Sequence, residues 1–300
     1  MFGRTRRHTG SPRRSKLGFE RIDVADLHFA EALPEGRMVE LPGRGTAFVR
    51  IAQGPAGAPT VLLLHGLMAT ADLNWSTAIP VLAKRFNVVA PDLRGHGRGM
   101  RTKRFTGDEC ADDLAALVRA LGAGRVIVVG YSLGGLVAQV FARRHPDLVS
   151  GMVLAATAGR FDDIPTSGGP LRVLEMALRA LPEATRRAAM LSLLAPKSAG
   201  TERGRWLMSE VRRHDTLAML DAIAEAGRFD SRPWLADTRC GAAVIVMRDD
   251  LRVSPQAQRD LARSLGRGFV FEMEGDHFAC IKRPDEFNRV LVAACAGAQA

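Results

Sequence analysis

The chain has 300 residues, 47% of them hydrophobic, and carries a formal net charge of +10 at pH 7. This length and apolar content can bury a sizeable core, and they suit one large α/β domain with an insertion better than two small domains. No run of about 18 or more apolar residues could span a bilayer, and no apolar stretch of about 7 to 15 residues follows the basic N-terminus as in a secretory signal. We therefore expect a cytoplasmic protein.

The N-terminal residues 1–16 are strongly basic. They contain six Lys and Arg residues and no acidic residue, so the remainder of the chain carries only +4. Their composition and lack of periodicity predict a disordered arm and lead-in over residues 1–36. A solvated arm is the favoured interpretation, and weak contact with an anionic surface is the alternative. The rest of the chain has no basic stripe interleaved with aromatic residues, so no specific nucleic-acid partner is predicted.

Strand and helix patterns follow one another along the next part of the chain. Turns rich in glycine and proline separate three short β-type runs at 37–41, 46–52 and 60–64. Further strands are predicted at 87–90, 125–130, 148–155, 242–247 and 268–273, and helices at 74–85, 109–121, 133–144, 255–265 and 284–296. Strands that are apolar throughout are typical of parallel sheets covered on both faces. The predicted fold class is therefore α/β, with a mostly parallel sheet flanked by helices.

Residues 160–236 interrupt this alternation. They contain amphipathic helical stretches at 171–181, 184–194 and 216–226 and no credible strand. We predict that they form a helical cap inserted after the sixth strand, and we call them the cap segment. The α/β core then consists of residues 37–159 and 237–300.

One serine stands between glycines where a predicted strand ends. Residues 130–134 read Gly-Tyr-Ser-Leu-Gly and match G-x-S-x-G, with a strand before and a helix after. Such a turn lifts the hydroxyl of Ser132 clear of the sheet, where the next helix directs its free N–H groups. We predict that Ser132 is a nucleophile. A serine hydroxyl is weak by itself, so it requires a base and an orienting acid from elsewhere in the chain.

His277 is the candidate base, because it lies between the last predicted strand and the last helix. Asp249 and Asp250 directly follow the strand at 242–247, and either of them could accept the imidazole N–H. The other histidines have different interpretations. The glycine after His65 indicates a role for the backbone there. The remaining ones are expected to be structural (His96), to cap a helix (His145) or to lie at the surface (His8, His28 and His214).

The order of Ser132, an aspartate and His277 resembles the serine α/β-hydrolases, and the match covers residues 37–297. The shared signatures are HGL at 65–67, Trp75, PDLRGHG at 91–97, GYSLGG at 130–135 and GDH at 275–277. The resemblance implies an α/β-hydrolase sheet and a catalytic triad of Ser132, His277 and an aspartate. It also implies that the backbone N–H groups of Leu67 and Leu133 form an oxyanion hole.

Two positions depart from the family pattern. Val253 and Pro255 follow Asp250 at the family spacing, which favours Asp250 as the acid, but Met247 replaces the usual glycine and leaves Asp249 as the alternative. The sequence GHGRG lacks the serine that relatives place after the second glycine. That loop is structural in the family, so we expect little chemical consequence.

The cap segment supplies the expectation about substrate. Its densest apolar positions are Leu171, Leu174, Met176, Leu178, Met190, Leu191, Leu193 and Leu194. Most of them should pack the cap segment onto the core, and some should face the cleft. We therefore predict a serine hydrolase of the carboxylesterase or lipase type that acts on a small ester with an apolar acyl or alcohol part. No cofactor is expected, and four scattered cysteines without a CxxC pair argue against a metal site.

Other activities fit the same residues. Acyl transfer, perhydrolysis and C–C or amide cleavage can use the same triad. A non-catalytic ligand receptor could use the same fold, because function depends on the site. Intact Ser132, His277 and Asp250 argue against such a receptor.

Overall fold

The computed structural model describes residues 24–30, 32–102, 104–161, 176–195, 200–266 and 268–299. The predicted N-terminal arm through residue 23, the cap positions Leu171 and Leu174, and the side chain of Leu193 lie outside this description.

Strands and helices alternate along the described chain. The strands are β1 (Gly36–Leu41), β2 (Gly45–Ala52), β3 (Thr60–Leu64), β4 (Asn87–Pro91), β5 (Val126–Tyr131), β6 (Val149–Ala155), β7 (Gly241–Met247) and β8 (Gly268–Met273). The helices are α1 (Ala71–Trp75), α2 (Ala78–Leu82), α3 (Gly107–Ala120), α4 (Leu133–Arg144), α5 (Glu183–Leu194), α6 (Glu202–Val211), α7 (Thr216–Arg228), α8 (Pro255–Ser264), α9 (Ala279–Lys282) and α10 (Pro284–Gly297).

The eight strands form one sheet in the order β1-β2-β4-β3-β5-β6-β7-β8. β2 pairs antiparallel with β1 and β4, and every other neighbouring pair is parallel. This confirms the predicted α/β class with a mostly parallel sheet. It also brings the ends of β3, β5, β6 and β7 to one edge of the sheet, because parallel strands end on the same side.

Both faces of the central strands are buried, and alternate side chains enter two separate cores. Leu62 and Leu64 of β3 face the core that contains α3, α4 and α8. Val61 and Leu63 face the core that contains α1, α2 and α10. All four side chains are fully buried, and burial of such a residue contributes about 1.5–3 kcal/mol. The strands that precede the functional loops are therefore fixed from both sides.

The prediction of one helix over 74–85 is wrong. The chain forms two short helices, α1 and α2, which are separated at Ser76 and Thr77. Pro80 lies inside α2 and has no N–H to donate to the carbonyl of Ser76. A continuous helix would lose that hydrogen bond, so the chain turns between the two helices.

Residues 176–180 of the cap segment are helical, within the predicted stretch 171–181. Helices α5, α6 and α7 also belong to the cap segment and lie between β6 and β7 in the chain. Two of them, α5 and α7, occupy predicted stretches, whereas α6 was not predicted. Thr201 begins α6, because its hydroxyl accepts the N–H of Gly204 at 3.1 Å. The cap segment also reaches the core: a Cβ added at Gly95 would lie 2.2 Å from the Cβ of Ala218 on α7.

Among the described helices, none combines the length and the apolar composition that a membrane crossing requires. The cytoplasmic location stays a prediction.

Candidate active site

Ser132 occupies the sharp turn between β5 and α4. Its φ and ψ are 51° and −116°, a left-handed φ that costs a non-glycine residue about 1–3 kcal/mol. A Cβ at Gly130 would lie 2.3 Å from the carbonyl oxygen of Gly134, and a Cβ at Gly134 would lie 2.1 Å from that of Leu64. These two positions must be glycine for the helix to start so close to the sheet. The turn leaves the Ser132 hydroxyl half-buried at the carboxyl edge of the strand.

His277 lies beside this serine. Its Nε2 is 3.0 Å from Ser132 Oγ, and its Nδ1 is 2.7 Å from Asp250 Oδ2. A carboxylate only accepts hydrogen bonds, so Nδ1 carries the hydrogen and Nε2 is left to accept the serine proton. This is the arrangement that a general base needs.

The structure separates the two aspartates that the sequence left as alternatives. Asp250 is buried, and its Oδ1 accepts the backbone N–H groups of Arg252 and Val253 at 2.8 and 2.9 Å. Asp249 is exposed, and its Oδ2 accepts the N–H of Gly275 at 3.0 Å. Asp250 is therefore the carboxylate that His277 contacts.

Loop 66–70 follows β3 and lies next to the serine turn. β3 pairs with β5 so that Leu64 is opposite Gly130, and a Cβ at Gly66 would be 3.5 Å from the Cβ of Ser132. Leu67 belongs to this loop, and Leu133 is the first residue of α4, where a backbone N–H has no acceptor within the helix. Both backbone groups predicted to form an oxyanion hole are thus carried by segments that adjoin Ser132.

The side chain of His65 supports this loop, contrary to the interpretation that only the backbone mattered there. Its Nε2 accepts the N–H of Leu93 at 2.9 Å, so Nδ1 carries the hydrogen and donates it to the carbonyl of Gly66 at 2.8 Å. Burial lowers the pKa of His65 to about 4, which keeps the ring neutral.

His214 is buried, so the prediction that it lies at the surface is wrong. It packs against His96, and His96 packs against His65, with ring centroids 5.4 and 5.0 Å apart. His96 is buried as expected for a structural residue. A lone histidine outside any motif carries no sequence signal for burial.

Tyr131 is a further residue that sequence reasoning did not single out. Its hydroxyl donates to the backbone carbonyl of His277 at 2.9 Å, and burial raises its pKa well above 10. Nearby, Asn74 accepts the N–H of Gly66 at 2.9 Å and donates to Sγ of Cys280 at 3.4 Å. These side chains connect loop 66–70, the serine turn and the histidine loop below the surface.

No group of three or more His, Cys, Asp or Glu side chains in the described part of the chain is arranged to hold a metal ion. Three of the four free cysteines, Cys110, Cys280 and Cys295, are buried, and Cys240 is half-buried.

A family model described as the alpha/beta hydrolase fold matches residues 59–215, which is more than half of the chain. The chain belongs to the α/β-hydrolase family. It is 32% identical over 244 residues to a pimeloyl-(acyl-carrier protein) methyl ester esterase of Chromobacterium violaceum, a match that covers 78% of this chain and 92% of that one. It is 29% identical over 244 residues to the putative carbamate hydrolase RutD of Serratia proteamaculans, covering 78% and 90%. The protein is accordingly a hydrolase.

Solved structures agree on the α/β-hydrolase fold. A hydrolase from Pseudomonas aeruginosa matches with a TM-score of 0.72 and 20% identity, covering 88% of this chain and 99% of that one. The enol-lactonase from Burkholderia xenovorans matches with a TM-score of 0.70 and 24% identity, covering 87% and 100%. At such identities the likeness concerns the fold alone.

Proposed function

We propose that this α/β-hydrolase is a serine carboxylesterase, with Ser132 as nucleophile, His277 as general base and Asp250 as the acid that orients the base. The observation that carries the proposal is the continuous chain of contacts from Asp250 to His277 at 2.7 Å and from His277 to Ser132 at 3.0 Å. In this series of contacts the carboxylate lies at the buried end and the hydroxyl at the accessible end. This is the order that proton removal from serine requires.

The first half of the reaction acylates the enzyme. Nε2 of His277 takes the proton from Ser132 while Oγ forms a bond to the acyl carbon of the ester. The carbonyl oxygen becomes an oxyanion, and the N–H groups of Leu67 and Leu133 stabilise it by hydrogen bonds. The intermediate then breaks its C–O bond to the alcohol. His277 donates the proton to the alcohol oxygen, and the alcohol leaves.

The second half of the reaction returns the free enzyme. Water gives a proton to His277 and its oxygen attacks the acyl carbon, forming a second oxyanion in the same place. The bond to Ser132 then breaks, Oγ regains the proton from His277, and the carboxylic acid is released. Asp250 remains ionised throughout and stabilises the imidazolium that forms in each half.

Two observations support an ester with an apolar part as the substrate. The relative from Chromobacterium violaceum is named as a methyl ester esterase. In the cap segment, Met190, Leu191 and Leu194 of α5 are apolar and only half-buried, so apolar surface remains accessible there. Most polar substrates would leave such surface without a partner.

Hydrolysis of p-nitrophenyl esters of increasing acyl length tests the proposal. We expect wild type to turn over these esters, and Ser132→Ala to lose at least about a thousandfold in kcat, because triad members act as a unit. Ser209→Ala is the matched control: its hydroxyl donates only to a helix carbonyl of Trp206 at 2.7 Å. A fluorophosphonate should label wild type and Ser209→Ala but not Ser132→Ala. Full activity in Ser132→Ala would refute the assignment.

The same assay can separate the alternatives. The relative named as a putative carbamate hydrolase makes p-nitrophenyl carbamates and anilides the first comparison substrates. Added alcohol or peroxide acceptors test acyl transfer and perhydrolysis. We expect esters to have the highest kcat/KM. A protein that binds esters but neither turns them over nor reacts with the fluorophosphonate would be a ligand receptor.

A further inference from the structure

Residues 210–215 of the cap segment are anchored on the core beside the candidate active site. Glu210 is 1% exposed, and its carboxylate accepts the Thr70 hydroxyl at 3.0 Å and a guanidinium N–H of Arg98 at 2.8 Å. On the other side, the N–H of Asp215 donates to the carbonyl of Gly95 at 2.8 Å. His214 lies between these two anchors and is fully buried.

Contacts to two backbone groups fix the hydrogen on the His214 ring. Nδ1 accepts the N–H of Gly97 at 3.0 Å, so this nitrogen carries no hydrogen. Nε2 therefore carries it and donates to the carbonyl of Met68 at 3.1 Å. Burial lowers the pKa of His214 to about 3, so the ring is neutral at pH 7. Both backbone partners are satisfied only by this one tautomer.

Met68 has a left-handed backbone, with φ at 56°. A non-glycine residue keeps such a conformation only where its surroundings fix it. On the far side of Leu67, the N–H of Gly66 is held by Asn74 Oδ1 at 2.9 Å. The Leu67 N–H shares a peptide group with the Gly66 carbonyl, which accepts hydrogen bonds from His65 Nδ1 at 2.8 Å and from the Ala69 N–H at 3.2 Å. The Met68 carbonyl, on the other side of Leu67, is the next group of this loop that a side chain holds.

We propose that His214 is a positioning residue: by holding the carbonyl of Met68 it keeps loop 66–70 in the conformation in which the Leu67 N–H, on the peptide group that His65 holds, is directed toward the oxyanion. The inference rests on the proposed esterase mechanism, and it gives the cap segment a role in the chemical step as well as in covering the site. An error of about 1 Å in such a donor can reduce the rate by about a hundredfold. Substrate binding in the ground state should be affected little.

Two substitutions separate positioning from stability. In His214→Asn the short side chain can still accept the N–H of Gly97 but does not reach Met68. In His214→Gln the longer amide reaches the position of Nε2 and can donate to Met68. We expect His214→Asn to lower kcat by about tenfold to a hundredfold and to weaken inhibition by a trifluoromethyl ketone equally, with KM within about twofold. His214→Gln should recover to within about threefold of wild type.

The rates are compared per active site, counted by fluorophosphonate labelling, so that loss of folded protein does not lower kcat. His145→Leu is the control for loss of a histidine elsewhere, since His145 bonds Asp112 at 2.8 Å beyond the end of α4. Equal kcat in wild type and His214→Asn would overturn the inference. Ser132→Ala, assayed in parallel, tests the esterase proposal independently: its activity would refute the mechanism, whatever the His214 variants do.

A crystal structure of the wild-type trifluoromethyl ketone adduct tests the inference without a variant. We expect the adduct oxygen within hydrogen-bond distance of the Leu67 nitrogen while His214 still contacts the Met68 carbonyl. An adduct oxygen bound by Leu133 but turned away from Leu67 would contradict the inference.

Discussion

The side-chain amide of Gln258 donates to Oδ2 of Asp250 at 3.2 Å, the same oxygen that contacts His277. Gln258 is fixed in turn, because its amide also donates to the carbonyl of Val253 at 2.8 Å and its oxygen accepts the N–H of Met247 at 3.0 Å. The carboxylate is thus held by α8 and by the turn after β7. Its orientation does not depend on His277.

Replacement of the two neighbouring aspartates should have very different effects. In Asp250→Asn, the amide can present an N–H to Nδ1 of His277 and so favour the wrong tautomer of the ring. We expect kcat/KM for a p-nitrophenyl ester to fall by about ten-thousandfold, with a loss of about 1–3 kcal/mol in the free energy of unfolding because the new NH2 group cannot accept the Gln258 amide N–H. Asp249→Asn keeps an oxygen for the Gly275 N–H and should remain within about threefold of wild type. The reverse result would make Asp249 the acid.

Removal of the Tyr131 hydroxyl should weaken the base without removing it. In Tyr131→Phe the carbonyl of His277 loses its donor, so the histidine loop is held less firmly. We expect a fall in kcat of about threefold to tenfold and a loss of about 0.5–1.5 kcal/mol in the free energy of unfolding. KM should change little. An unchanged kcat per labelled site would show that the backbone of the loop is held without this bond.

Alkaline titration provides a direct check on the same residue. Tyr131 is the only tyrosine in the chain, so phenolate absorbance reports it alone. Because burial raises its pKa well above 10, absorbance should not rise until the protein unfolds. A reversible rise near pH 10 in folded protein would contradict this burial.

The three packed histidines should make the protein labile in acid. Burial lowers the pKa of His65 to about 4, of His214 to about 3, and of His96 well below 6.5. The unfolded state therefore binds more protons below about pH 6.5, and stability that is complete above that pH is lost as the pH falls toward the folded values. Asp92 has the opposite effect on stability in acid. Burial raises its pKa to about 6, so below that pH the folded protein binds more protons at Asp92 than the unfolded protein does, which offsets the loss from about one histidine.

Urea unfolding at several pH values tests this sign. Each histidine contributes up to about 1.4 kcal/mol per pH unit, so with Asp92 subtracted we expect a net loss of about 4 kcal/mol between pH 7 and pH 5. His214→Asn removes one of the three groups and should show a shallower decline. A free energy of unfolding that stays level from pH 7 to pH 5 would contradict the prediction.

Local patterns predicted much of this protein. The bounds predicted for β3, α4 and β8 are those observed, because turns with glycine or proline border the two apolar runs and the glycines around Ser132 define the start of the helix. The sequence also pointed to Ser132, His277 and a pair of aspartates. The choice between Asp249 and Asp250 was harder, since adjacent residues share their sequence context and differ only in the direction of their side chains.

Long-range contacts account for what the sequence did not predict. His214 contacts Met68, and Tyr131 contacts His277, each across about half of the chain. Neither contact follows from spacing, periodicity or a motif. Both contacts depend on how the cap segment and the loop that carries His277 pack on the sheet. Helix α6 was missed for a similar reason: it includes Gly204 and two arginines, which obscure its apolar face.

The anchoring of Glu210 on Thr70 and Arg98 limits how this enzyme can be re-engineered. If the whole stretch between β6 and β7 were exchanged for that of a relative, the Thr70 hydroxyl and the Arg98 guanidinium would lose the Glu210 carboxylate that they contact. Chimeras that graft new specificity should therefore join the foreign sequence before residue 210 and retain the native chain from there to α7.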